Sequence, residues 1–118
     1  MIYFNPQQRF FLYKGNTDMR KSFNGLGGIV INDLKGNLFS GDVFIFSNKR
    51  RDQIRLLVWE RDGFWVCAKR LEEGSFQIPE SKDASLAIEL KWDMLMMIFE
   101  GINFDKVTKR KRYLLPTT

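Results

Sequence analysis

The chain has 118 residues, 44% of them apolar and 28% charged, with a net charge of +5; that is enough for one core and too apolar for a disordered chain. A single cysteine, Cys67, excludes an intrachain disulfide, and the lack of histidine removes the commonest general base and transition-metal ligand. No apolar stretch nears the roughly 18 residues that cross a bilayer, and residues 1–9 lack the apolar region of a signal peptide, so a soluble cytoplasmic protein is expected.

In chain order, residues 9–14 (Arg-Phe-Phe-Leu-Tyr-Lys) read as a strand that is apolar on both faces, broken by Gly15-Asn16. Thr17 is placed to cap a helix, with Asp18 beside the positive end of its dipole. Met19, Phe23, Leu26, Val30 and Leu34 then recur on one helical face. Gly25, Gly27 and Gly28 weaken that helix, which predicts close packing against a neighbour or an early end. Residues 35–42 have loop composition, and residues 43–46 form a short second strand.

Residues 48–51 are predicted to turn into a third strand over 53–60. Its alternation puts Ile54, Leu56 and Val58 on one face and Arg55, Leu57 and Trp59 on the other. Arg61-Asp62-Gly63 is a hairpin signal. A fourth strand follows over 64–70 and a fifth over 75–78, stopped by Pro79. Residues 79–85 read as a linker, and 86–90 fit strand or helix. Residues 91–100 read as a helix, with Trp92, Leu95, Met96 and Phe99 at helical spacing and Gly101 as C-cap. The expected fold is α+β: an antiparallel sheet of about five strands, with one helix before the main hairpins and one after. Residues 1–101 would form a single domain and residues 102–118 a basic, partly disordered C-terminal tail.

The basic charge is local. Residues 47–61 carry five basic and two acidic side chains, and residues 102–118 five basic and one acidic, while the remainder is slightly acidic. Lys49, Arg50 and Arg51 sit on the predicted turn, where phosphate contacts find long cations on a rigid support. Arg55 follows on the strand with Trp59 on its face, an aromatic suited to stacking on an unpaired base. The plainer alternative is a solubilising turn beside a buried Trp59. Lys109, Arg110, Lys111 and Arg112 suit an arm along a phosphate backbone, or merely a polar terminus. Arg20 and Lys21 lie in the first turns of the predicted helix, where they and its amides could hold an anion, although Asp18 opposes that and pairs more readily with Lys21. Asp18, Asp42, Asp52 and Glu60 stand at element ends, as capping and turn carboxylates do. No catalytic residue, metal site or cofactor is expected.

Several ordered segments resemble one family. These are Tyr-Lys-Gly-Asn-Thr-Asp-Met-Arg-Lys-Ser-Phe-Asn-Gly-Leu (13–26), Ser-Gly-Asp-Val-Phe-Ile-Phe (40–46), Asn-Lys-Arg-Arg-Asp-Gln-Ile-Arg-Leu-Leu (48–57) and Lys-Arg-Leu-Glu-Glu-Gly-Ser-Phe (69–76), with Trp59 and Gly63-Phe64 between the last two. Over residues 9–101 the chain resembles the small second-open-reading-frame proteins of bacterial insertion sequence 66 elements, also called transposase accessory protein B. The resemblance implies a non-catalytic accessory role in transposition, beside a larger transposase that holds the catalytic carboxylates. It carries over no catalytic residues. Asn16 stands where proline is usual, Asn24 where aspartate is usual, and Gln53 where a basic residue is frequent. The basic tail falls outside the shared segments.

The expected function is therefore binding of DNA at element ends, or of a transposase–DNA complex, through the 49–55 cluster and the tail. The alternative is an adaptor that binds the element's transposase through exposed aromatics such as Trp59, Trp65 or Trp92 and does not touch DNA.

Overall fold

The computed structural model describes Phe4, residues 6–100 and the backbone of 102–103 and 108–109. Five strands form one sheet: β1 (Phe10–Asn16), β2 (Val43–Ser47), β3 (Gln53–Glu60), β4 (Gly63–Arg70) and β5 (Ala87–Leu90). Their order in the sheet is β4-β3-β2-β1-β5. Strands β2, β3 and β4 are successive antiparallel hairpin partners, and β5 returns antiparallel to β1. Strand β1, however, runs parallel to β2, so the sheet is mixed and not purely antiparallel.

The parallel pair has a local cause. A strand, a helical segment and a second strand form a crossover unit, which sets the second strand parallel beside the first. The helical segment is α1 (Phe23–Gly28) followed by a π-helical turn (Ile29–Asp33). The expected helix from Thr17 is thus shorter and starts later. Ser22 is at its N-cap position and makes no side-chain cap bond. Thr17 instead stays with the sheet, where its buried backbone N–H donates to the Ser47 carbonyl at 2.9 Å. Phe23, Leu26, Val30 and Leu34 do share one packing surface, as their spacing predicts. Met19 lies before the helix.

The sheet has a core on each face. Ile54, Leu56 and Val58 of β3 point to the side covered by α2 (Trp92–Glu100), joining Phe10, Leu12, Ile45, Leu95 and Ile98. Leu57 points to the other side, where Phe44 and Phe46 meet Leu26 and Val30. Every residue of β2 is buried, as a central strand covered on both faces must be. The segment expected as a strand over 75–78 is irregular. Its Phe76 is buried and its N–H donates to the Arg51 carbonyl at 2.6 Å, while the sheet position goes to β5. Strands β6 (Ile102–Asn103) and β7 (Thr108–Lys109) form a separate two-stranded ladder. The expected C-cap Gly101 and the tail cations Arg110, Lys111 and Arg112 lie outside the described residues.

Candidate nucleic-acid interface

The turn between β2 and β3 is built around Asn48. Its side-chain carbonyl oxygen Oδ1 accepts from the backbone N–H groups of Asp52 and Gln53, both at 3.1 Å, and its Nδ2 donates to the Asp52 carboxylate at 2.6 Å. Arg51 takes a left-handed backbone, with φ of 57°, and donates its N–H to the Asn48 carbonyl at 3.1 Å. Four turn residues are thereby held from within, and Lys49 and Arg50 project into solvent at the tip.

The same end of the sheet gathers other cations. Parallel pairing sets Asn16 opposite Ser47, which brings the 17–22 segment beside the turn. Antiparallel pairing sets Arg70 opposite Gln53, and the Leu71 N–H donates to the Asp52 carbonyl at 2.8 Å. Exposed Arg20, Lys21, Lys69 and Arg70 therefore flank Lys49 and Arg50. Asp18 and Glu72 temper this patch, pairing with Arg20 at 2.6 Å and Arg70 at 3.3 Å. The Arg20 hydrogen bonds hold the Asp18 carboxyl at about 2, well below its ordinary value.

Arg55 has a different role from the one its charge suggests. It lies on the α1 face of β3, half-buried, and its guanidinium donates to the carbonyls of Met19 at 2.8 Å and Lys21 at 3.1 Å. It fastens the 19–21 segment to the sheet. Trp59, four residues along the strand and roughly 13 Å away at a strand rise of 3.3 Å per residue, does not join the cations. It packs instead against Phe39 at 5.1 Å and Phe64 at 5.0 Å between ring centroids, near the opposite end of the sheet. Phe39 is 61% exposed and also lies 5.6 Å from Phe64. Phe39 carried no sequence signal: it sits in a segment of loop composition, and only the fold sets it over Trp59.

The four carboxylates at element ends do not form one site: Asp42 and Glu60 line a common shallow depression with Arg9, apart from Asp18 and Asp52. Asp18 binds Arg20, Asp42 forms a two-pronged pair with Arg9, and Asp52 binds Asn48. Among the described residues no group of three or more His, Cys, Asp or Glu is placed to hold a metal ion. A cavity of about 530 Å³ opens over Phe11 and Phe44, rimmed by Arg9, Lys35, Asp33, Asp42 and Glu89. Its carboxylates outnumber its cations, which does not favour an anionic ligand. Trp92 packs at 5.9 Å from Phe10, and Trp65 is 44% exposed. No helix among the described residues is long and apolar enough to cross a membrane.

A model of the family described as IS66 Orf2-like protein matches residues 8–109. The match reaches Lys109, further into the basic tail than the shared segments extend. The uncharacterized protein y4jC of Sinorhizobium fredii is 33% identical over 101 residues, covering 86% of this chain and 84% of that protein. The uncharacterized protein y4hO of the same organism is 30% identical over 80 residues, covering 68% and 70%. No solved structure matches the chain significantly. The chain belongs to the IS66 Orf2-like protein family.

Proposed function

We propose that this member of the IS66 Orf2-like family is a non-catalytic accessory protein of bacterial transposition, and that it contacts the phosphates of element-end DNA through the basic end of its sheet. One observation carries this reading: Lys49 and Arg50 are exposed on a turn locked by Asn48, with Lys21, Lys69 and Arg70 at the same end. Long cations on a rigid support suit a backbone track and carry no base readout of their own. The tail cations Lys109, Arg110, Lys111 and Arg112 would extend the contact. The element's transposase would be the partner on that DNA, in the bacterial cytoplasm.

The test is affinity for element-end duplex at two salt concentrations, for the full chain and for the Lys49→Glu, Arg50→Glu double variant. Binding that falls steeply with salt and is lost in the variant supports the interface. Binding that is unaltered by the double variant rejects it.

A second reading, a transposase adaptor without DNA contact, is favoured by a different observation, the exposed Phe39 seated on Trp59 and Phe64. Aromatics with one face free are the usual anchors of protein interfaces. Capture of the transposase in high salt with nuclease present, lost on Phe39→Ala, would select this reading.

A further inference from the structure

Strand β4 is the long outer edge of the sheet. It has eight residues, pairs with β3 on one side, and meets no strand among the described residues on the other. The opposite edge, β5, has four residues and ends in Glu89-Leu90 before Lys91, the short and charged form that natural edges take. Residues 63–68 of β4 (Gly-Phe-Trp-Val-Cys-Ala) carry no charge and no proline. Trp65 is 44% and Val66 38% exposed.

The direction of the free backbone groups follows from the ladder. Leu71 donates to Asp52 across the β3–β4 pair, and hydrogen-bonded and non-hydrogen-bonded pairs alternate along an antiparallel ladder. Residues 63, 65, 67 and 69 therefore bond to β3. The N–H and C=O groups of Phe64, Val66, Ala68 and Arg70 point outward from the sheet.

We propose that the occupant of this edge is a second copy of the chain, its β4 antiparallel to the first about a two-fold axis through Val66, giving a continuous ten-stranded sheet. Charge and side-chain complementarity select both the partner and the register. In this register Val66 meets its own copy in a hydrogen-bonded pair, Phe64 faces Ala68, and Trp65 faces Cys67. All three pairings are apolar, and facing residues lie on the same side of the sheet. Beyond them Asp62 faces Arg70, which would exchange its exposed in-chain partner Glu72 for an opposite-charge pair made twice by the symmetry. Shifting the axis to Cys67 sets Trp65 against Lys69 and Asp62 against Glu72. Shifting it to Trp65 brings Arg61 to Lys69. A parallel copy in register sets Lys69 and Arg70 beside their own equivalents and does not close on itself. The inference shares Arg70 with the basic end of the sheet but does not depend on DNA binding, since its test reads only mass and crosslinking without DNA present.

The experiment measures the mass of the full chain in solution across a concentration series. The expected result is a dimer that dissociates on dilution. Val66→Pro removes an outward N–H that β3 does not use, and should give a monomer with unchanged circular dichroism. Arg70→Asp should weaken the dimer at least tenfold, and Asp62→Lys combined with Arg70→Asp should restore it, which a folding defect cannot mimic. Val66→Cys combined with Cys67→Ser should crosslink on mild oxidation, because hydrogen-bonded partners stand about 5.5 Å apart at Cα, within disulfide reach. A monomer at every concentration overturns the proposal. So does a dimer insensitive to the charge swap and without the Val66→Cys crosslink, or an edge that is filled only when the transposase is added.

Discussion

The guanidinium of Arg55 donates to the backbone carbonyl of Met19 at 2.8 Å, tying the middle strand of the sheet to the segment that leads into α1. A second bond to Lys21 at 3.1 Å uses the other arm of the fork. An ammonium cannot reproduce that planar pair of donors. Arg55→Lys should therefore cost about 1–3 kcal/mol, the range for lost hydrogen bonds to a charged group, read as a lower midpoint in urea denaturation. The salt slope of DNA binding should not change, because the charge is retained and the guanidinium is already committed to the protein's own backbone.

Lys49 and Arg50 have the opposite profile. Both are exposed, and among the described residues no hydrogen bond ties either side chain to the fold. Replacing both with alanine should leave stability within about 0.5 kcal/mol. It should also make the plot of log affinity against log salt shallower by about 2, one phosphate contact for each cation. Titration of a fluorescent duplex at several salt concentrations reads this directly.

Asn48 links the two effects. Asn48→Ala removes three hydrogen bonds inside the turn and leaves the Asp52 and Gln53 amides without that acceptor. The expected loss is about 1–3 kcal/mol of stability. DNA affinity should fall as well, although no charge has been removed, because the cations then sit on a looser support.

Asp18 gives a prediction in pH. Its carboxyl is held at about 2 against an ordinary 3.8, first by the Arg20 side-chain bond and then by the Arg20 backbone N–H. A folded-state value below the unfolded one means the stabilisation is present above about pH 4 and is lost as pH falls toward 2. An NMR titration of the Asp18 carboxyl should show a midpoint near 2, and Arg20→Gln should move it upward toward the ordinary value. An unmoved midpoint would show that the backbone bond alone sets it.

Much of this was legible in the chain, and the exceptions have physical reasons. The strict alternation of Ile54, Leu56 and Val58 against Arg55, Leu57 and Trp59 predicts both faces of β3, because a strand buried on two sides has no other way to place them. The Lys49–Arg51 turn was equally clear. The parallel β1–β2 pair departs from the antiparallel expectation, although a strand followed by a helix and another strand is the pattern of a crossover. The fifth strand lies at Ala87–Leu90 and not over 75–78, where the alternation of Phe76 and Ile78 imitates a short buried strand. Phe76 is indeed buried, but its N–H donates to the carbonyl of Arg51 in the β2–β3 turn, and residues 75–78 form no strand. The later start of α1 turns on Thr17. A β-branched residue with a hydroxyl suits a cap, yet its N–H was claimed by Ser47 and the chain stayed extended. The shared location of Lys21, Lys69 and Arg70 with Lys49 could not be read at all, since it depends on which strand ends meet.

The parallel placement of β1 also bears on how the chain assembles. Strands β2, β3 and β4 are neighbours in sequence and in space, so their hairpins close short loops and can form early. Strand β1 must wait for the α1 crossover, and β5 must return from the far side of the chain to pair with it, Phe10 against Leu90. Both of these long-range ladders share β1, so on contact-order grounds completion of the sheet is expected as one step that closes them together after the local hairpins.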